Sequence, residues 1–260
     1  QHGYLHSQQF KRTKAGFEQI AETSYSLGFT DVLVFASLSA DGTLTTITSH
    51  DQQLVWERYA QHLQPRQQTA LPTPHTAPCD YDALEDILCE CSPACVRVLR
   101  HGEIVREFHT DFIQCACVTT VSDATAIVVA TSHQLYSLTG RAFQEEFHSP
   151  HSIATPILSL TPIRHQSAVL LRTAESLQVV SFVEKRLVFC QSLPVRALAC
   201  CAVRDTVYVV TEEGQRLAVR VFNLHASRSS FTPQQTLLLS EGTVVGSACQ
   251  VMSSEVSHCQ

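Results

Sequence analysis

The chain has 260 residues, a formal net charge of −6, 44% hydrophobic residues and 16% charged residues. This length suffices for one large all-β domain or two smaller domains. The negative charge argues against nucleic-acid binding over the whole surface. No apolar stretch reaches the roughly 18 residues that a spanning helix needs, so we expect no membrane contact. Low charge with many Val, Leu, Thr and Ser residues favours sheet over exposed helix.

The 11 cysteines are odd in number and lack matched spacings. This pattern disfavours a secreted disulfide framework. The N-terminal region also lacks the apolar run of a signal peptide. We therefore expect an intracellular location, cytoplasmic or nuclear. The numbering begins at Gln1 and not at Met, so the completeness of the chain stays open.

The N-terminal third is predicted to contain two segments of different character. Residues 1–24 are expected to form a short helix or a tail, with Phe17 and Ile20 as its apolar positions. Residues 25–59 are predicted to form three strands of a first propeller blade. Their hairpin signal is Asp41-Gly42, a strong short-range indicator of a tight turn.

Residues 60–92 interrupt this pattern with prolines and glutamines. Pro65 and the prolines that follow it indicate an exposed loop or insertion. A short helix from Asp82 to about Cys89 is predicted to follow, because its apolar residues have helical spacing.

Residues 93–252 are predicted to form the remaining blades, and residues 253–260 a C-terminal tail. Four short strands recur in units that start at Ile113, Ile157 and Val195, at spacings of 44 and 38 residues. A period near 40 with four strands per unit is typical of propeller blades. The second strand of each unit is the most apolar, as expected for a strand covered on both faces. About five units can be recognised, two of them partial.

One segment carries a family resemblance. Ser39-Ala40-Asp41-Gly42-Thr43-Leu44 resembles the turn between the second and third strands of a WD40 blade, and Trp56-Glu57 is the nearest match to the Trp-Asp dipeptide. Over residues 25–250 the chain therefore resembles a degenerate WD40-like β-propeller. The resemblance implies a platform for protein interactions and carries over no catalytic residue.

Four cysteines lie close together in the sequence. Zinc prefers four tetrahedral sulfur or nitrogen ligands, which makes a zinc site one hypothesis, with His75 and His101 nearby. The alternative is that these thiols pack as small apolar groups, since the usual paired C-x-x-C spacing is missing. The four residues are Cys79, Cys89, Cys91 and Cys95. Farther along the chain, Cys115 and Cys117 should share one face of a strand and pack in the core.

The cations are unevenly distributed. Residues 161–230 hold nine Lys or Arg against five Asp or Glu, a local excess of positive charge. Contact with RNA or with an acidic partner is one hypothesis, and scattered solvated cations are the alternative. The candidate contact residues are Arg164, Arg172, Lys185 and Arg186.

The sequence therefore predicts an all-β, WD40-like propeller of four-stranded antiparallel blades, and it leaves two alternatives, a complete and an incomplete ring. The predicted function is a non-catalytic scaffold subunit that binds other protein subunits within a complex. Two alternatives remain: an RNA-contacting auxiliary subunit of an RNA-processing or RNA-modifying complex, and a propeller enzyme with a central pocket. No nucleophile elbow, zinc-protease motif, phosphate loop or dinucleotide fingerprint occurs. We expect no metal, no cofactor and no small-molecule substrate.

Overall fold

The computed structural model describes residues 4–13, 16–26, 32–38, 44–50, 53–59, 65–70, 77–82, 85–121, 124–149, 153–163, 166–183, 186–203, 205–214, 216–225 and 230–238. Every regular element in these residues is a β-strand. The chain divides into two compact units, Gln1–Pro78 with Met252–Gln260, and Cys79–Val251. The described segments contain no helix with the length and hydropathy that crossing a bilayer requires.

The first unit holds an antiparallel hairpin and a four-stranded antiparallel sheet in the order β3-β4-β5-β6. Its strands are β1 Tyr4–Thr13, β2 Gly16–Ser26, β3 Val32–Leu38, β4 Leu44–His50, β5 Gln53–Tyr59 and β6 Pro65–Ala70.

The second unit begins within β7 and holds four four-stranded sheets, each in chain order. Every sheet is therefore a simple meander, as in a propeller blade. The strands are β7 Ala77–Asp82, β8 Ile87–Cys91, β9 Cys95–Arg100, β10 Glu103–His109, β11 Ile113–Val121, β12 Ala124–Thr131, β13 Leu135–Thr139, β14 Glu145–His148, β15 Ile157–Ile163, β16 Ala168–Thr173, β17 Leu177–Val183, β18 Arg186–Leu193, β19 Ala197–Val203, β20 Thr206–Glu213, β21 Arg216–His225 and β22 Ser230–Leu238.

The second strands hold the sheets of this unit together, because their two faces belong to two different cores. Ile127 and Val129 of β12 pack with the sheet of β7–β10, whereas Val128 and Ala130 pack with the sheet of β15–β18. This alternation follows from the two-residue period of a strand. For β12 and β16 it confirms the expectation that the second strands are covered on both faces. In β16 the same alternation assigns Val169 and Leu171 to one core and Ala168 and Leu170 to the other.

A bulge recurs near the start of the first strand of the sheets. The register shifts between Ile113 and Cys115 in β11, between Ile157 and Ser159 in β15, and likewise at the start of β19 and within β3. One residue of each first strand is therefore left out of the ladder and turned aside. In β15 and β19 these residues are Leu158 and Leu198.

The helix expected from Asp82 to about Cys89 is wrong, because this segment forms a turn and the strand β8. The Asp82 carboxylate accepts a hydrogen bond from the Glu85 amide at 3.3 Å. Asp86 has a φ of 55°, a left-handed conformation that ends a helix and reverses the chain. Helical spacing of the apolar residues was thus overridden by turn chemistry.

The exposed loop or insertion expected over residues 60–80 is also wrong in its described parts, since β6 and β7 are strands. Pro65 is the first residue of β6, which lies at the edge of its sheet beside β5. Proline is tolerated there because the first residue of an edge strand need not donate to the ladder. The described residues of the first blade thus extend to Ala70, beyond the expected end at residue 59.

Two further expectations need correction. Residues 4–13 and 16–26 pair as a hairpin and form neither a helix nor a tail, because the cross-strand ladder satisfies their backbone groups. The segment that contains Asp41-Gly42 lies between the first and second strands of its sheet, not between the second and third, since Leu38 of β3 pairs with Leu44 of β4. Asp41 and Gly42 themselves lie outside the described residues.

We expect Leu170→Ala to destabilise the chain by about 2–5 kcal/mol, because the buried leucine of β16 leaves a cavity. The matched control is Val183→Ala in the same sheet, where the side chain is 54% exposed. Urea unfolding of both variants checks the difference. Equal midpoints would contradict the assignment of β16 to the core.

Candidate functional site

Hydroxyl side chains close the turns between the second and third strands. The Thr131 hydroxyl accepts from the Gln134 amide at 3.1 Å, and the Thr131 amide donates to the Gln134 carbonyl at 2.9 Å. The same pattern joins Thr173 to Ser176 at 3.0 and 2.9 Å, and Ser92 to Cys95 at 3.0 and 2.8 Å. Side-chain capping of this kind fixes a short turn.

These turns also bind the next sheet through the backbone. The Ile113 amide at the start of β11 donates to the Pro93 carbonyl at 2.9 Å. The Ile157 amide at the start of β15 donates to the Ser132 carbonyl at 3.0 Å. A third bond between sheets runs from the Val118 amide of β11 to the buried Asp80 carboxylate of β7, at 2.8 Å. The first two sheets of the second unit therefore each position the first strand of the next sheet.

We call the turn face the surface of residues 79–251 made by these turns and the starts of β11, β15 and β19. Three of its apolar side chains are exposed, namely Phe112 at 74%, Leu158 at 46% and Leu198 at 40%. Phe112 also has a φ of 59°, which is rare for a bulky residue and costs conformational energy. Exposed apolar groups that recur at one end of successive sheets are typical of an interaction surface.

Arg172 is the predicted contact residue whose side chain the structure describes. Its Nε donates to the Ser159 hydroxyl at 2.9 Å, and a terminal nitrogen donates to the carbonyls of Ala197 and Leu198 at 3.1 and 3.0 Å. The guanidinium thus joins β15 and β19 at the turn face. Arg186 begins β18, and Arg164 and Lys185 lie outside the described residues. RNA contact by these four residues stays a prediction.

Other cations of the 161–230 sector differ in their partners. Arg220 forms an ion pair with Glu213 at 2.7 Å within the last sheet, so its charge is compensated. Arg196 is exposed directly before β19. Arg204, which follows β19 in the chain, lies outside the described residues.

Cysteines that are close together in the sequence also lie close together in the structure. The Cys79 thiol donates to the Cys89 carbonyl at 3.2 Å, and Cys89 is fully buried. Cys79, Cys89 and Cys91 all pack on the core shared by the first two sheets of the second unit. Cys115 and Cys117 pack on the next core, which confirms that they share a face.

The surroundings disfavour thiolates in this group. A hydrogen bond with Cys79, and then burial, hold the pKa of Cys89 well above its ordinary value. Burial raises the pKa of Cys91 and that of Cys115 from 9.0 to about 12. Burial also raises the pKa of Cys95. Protonated thiols are poor metal ligands and poor nucleophiles.

No group of three or more His, Cys, Asp or Glu side chains within the described segments is arranged to hold a metal ion. The four cysteines of the zinc hypothesis are all in these segments, as free thiols. His101 instead contacts the Asp86 carboxylate at 2.6 Å, and His75 lies outside the described residues. The packing of these thiols is the arrangement that the structure describes.

The sequence contained a signal for the turn face that the strand pattern alone did not expose. A Ser or Thr occurs at the end of each second strand, at intervals of about 40 residues, as expected for one such turn per blade. These hydroxyl residues are Ser49, Ser92, Thr131, Thr173 and Thr211. At the last of them, the Thr211 hydroxyl has no hydrogen-bond partner among the described residues, because β20 continues to Glu213.

No protein-family model matches the chain, and no curated protein matches its sequence. Solved structures do match it. Virginiamycin B lyase from Staphylococcus aureus is 12% identical, with a TM-score of 0.54, and the match covers 90% of this chain and 88% of that chain. The WD40 repeats of RRP9 are 12% identical, with a TM-score of 0.52 and coverage of 78% and 66%.

A third similar structure is that of BBS1N, solved in complex with ARL6DN. It is 15% identical, with a TM-score of 0.55, and the match covers 86% of this chain and 70% of that chain. At such identities the likeness shows the fold alone. The chain is all-β, with four-stranded antiparallel sheets of the propeller type, and WD40 proteins are among those it resembles. Because the structures with this fold include a lyase and a domain solved in complex with another protein, function has to be argued from the surface.

We expect alkylation of Cys91 and Cys115 by iodoacetamide to be much slower at pH 8 in the folded chain than in guanidinium, because the thiolate is the nucleophile. In the folded chain the rate should rise about tenfold per pH unit toward pH 12, whereas unfolded thiols level off near pH 9. Mass spectrometry of each cysteine gives the rates. Equal rates at pH 8 in both states would refute the assigned environment.

The same pKa shifts give a stability prediction. The folded chain binds the Cys91 and Cys115 thiol protons more tightly than the unfolded chain does, so these two groups contribute their full share of the unfolding free energy below pH 9. This contribution is lost as the pH rises toward about 12. Urea unfolding at pH 8 and at pH 10.5 should show the lower unfolding free energy at the higher pH.

Proposed function

We propose that this chain is a non-catalytic β-propeller subunit that binds other proteins within a multi-subunit complex. The observation that carries the proposal is the turn face, where Phe112, Leu158 and Leu198 are exposed at the starts of first strands. Single exposed apolar residues are ordinary on protein surfaces. Their recurrence at one end of three successive sheets favours a surface that a protein partner covers.

The rigidity of the turn face supports this function. Its turns are closed by hydroxyl side chains and bonded to the next sheet. A preorganised surface loses little conformational entropy on binding, which increases affinity. The similarity to BBS1N, which was solved with ARL6DN, supports a protein partner for a fold of this kind.

An intracellular location, cytoplasmic or nuclear, is part of the proposal. Nine cysteines in the described segments form no disulfide, and the Cys79 thiol lies against Cys89. Neighbouring free thiols are compatible with a reducing compartment. The proposal includes neither a cofactor nor a small-molecule substrate.

The test is capture of partners from native extract by the purified, folded chain, followed by reconstitution with the purified partners. We expect a set of proteins that binds at fixed stoichiometry and survives ribonuclease treatment. The double variant Phe112→Ser/Leu158→Ser should lose these partners. The control Val183→Ser, at the opposite end of its sheet, should keep them.

Three results would contradict the proposal. A chain that stays alone in extract and in reconstitution would remove its basis. Partners lost on ribonuclease treatment would favour the RNA-contacting alternative. Turnover of a substrate by the isolated chain would favour the enzyme alternative.

A further inference from the structure

Arg172 occupies a position that neighbouring sheets fill with small or apolar residues. It lies opposite Ser159 in the ladder between β15 and β16. The corresponding residues are Ala130, opposite Cys115, and Val210, opposite Ala199. The repeat of the fold therefore does not require an arginine here.

The hydrogen bonds of Arg172 leave part of its guanidinium unused. An arginine side chain has five N–H donors. Three are used, one to the Ser159 hydroxyl and two, from one terminal nitrogen, to the carbonyls of Ala197 and Leu198. Within the described segments, the two N–H groups of the other terminal nitrogen have no acceptor.

The acceptors that Arg172 does have are all neutral, so its charge is not balanced by a carboxylate among the described residues. The guanidinium also lies within electrostatic reach of β11 and β19. Burial raises the pKa of the Cys115 and Cys200 thiols, and the charge of Arg172 offsets part of that increase. Arg172 is thus a half-buried cation between three first strands. Such a group attracts an anion strongly, because a partly buried charge is less screened than a surface charge.

Two exposed leucines flank this cation. Leu158 precedes Ser159, and Leu198 supplies one of the carbonyl acceptors, so a single guanidinium joins their two strands. The leucine side chains are 46% and 40% exposed, at the bulges of β15 and β19. An open donor pair beside two apolar side chains fits an acidic residue that is followed or preceded by an apolar one.

The surrounding charges favour a protein segment over a nucleic acid. Glu175 is in the turn after β16, and Glu212 follows Thr211, which pairs with the start of β19. Both carboxylates are exposed and would repel a chain of phosphates. Arg196, directly before β19, is an exposed cation in the same region. The apolar flanks would add nothing to phosphate binding, which depends on gathered cations.

We propose that the surface of Leu158, Arg172 and Leu198 binds a protein segment carrying an Asp or Glu next to a Leu, Ile or Phe. One carboxylate oxygen accepts from the open terminal nitrogen of Arg172, and the apolar side chain packs on the two leucines. This inference rests on the proposed function and assigns it a partner chemistry.

The test is selection from a random displayed-peptide library on the folded chain, with enriched peptides then synthesised for fluorescence polarisation. We expect the enriched peptides to share an acidic residue beside an apolar one. Leu198→Glu should weaken their binding by about tenfold or more, because it removes an apolar contact and offers Arg172 an internal carboxylate. The matched control Val183→Glu should bind as the original chain does.

Arg172→Gln tests the cation itself and should lose binding to a similar extent. Because Arg172 also joins two sheets, the thermal unfolding of this variant is measured alongside, and Leu198→Glu serves where the arginine variant does not fold. Enriched peptides without an acidic–apolar pair, or equal binding to Leu198→Glu, would overturn the inference. No enrichment at all would overturn it too.

A polyuridine RNA probe serves as the test of the other macromolecule. Binding of this RNA that falls steeply with salt and is lost in Arg172→Gln would overturn the inference. The proposed function is tested separately by native partners. Native partners that bind Leu198→Glu as tightly as the original chain would contradict this site but not the scaffold function. The absence of any native partner would contradict the scaffold function itself.

Discussion

Burial of both faces of the central strands is the constraint from which the second unit is built. A four-stranded sheet with two apolar faces is unstable alone in water, because each face must be covered. In β12 and β16, alternate side chains enter two different cores, so each of these strands is shared between neighbours. The sheets are therefore stable as an array, as expected for repeat architectures.

The same array determines where function can lie. A carbonyl in the turn of one sheet accepts a hydrogen bond from the first strand of the next, so the residues that join the sheets also form the turn face. The bulges at the starts of β15 and β19 direct Leu158 and Leu198 away from the ladder. Arg172 then ties these two strands together. A rigid junction with exposed apolar groups and an open cation is suited to recognition. Burial raises the pKa of the Cys91 and Cys115 thiols to about 12, so these two thiols stay protonated at neutral pH.

Sequence patterns predicted the strands well wherever local and tertiary signals agreed. The apolar second strands followed from pattern, and in β12 and β16 their alternate side chains enter two cores. The predicted helix near Asp82 failed because helical spacing over a few residues cannot compete with a turn fixed by carboxylates. The joining role of Arg172 could not be predicted, since two of its three acceptors are backbone carbonyls about 25 residues away.

Hydrogen exchange at the amides of Ile113 and Ile157 tests the central claim most directly. The Ile113 amide donates to Pro93 and the Ile157 amide donates to Ser132, and both acceptors lie in a turn of the preceding sheet. These two hydrogen bonds therefore run between sheets and not within one. If the sheets stabilise one another as one array, these amides open with the same free energy as core amides of β12 and β16. If they instead exchange as fast as exposed amides while the ladders stay protected, then the sheets are independent and the account is wrong.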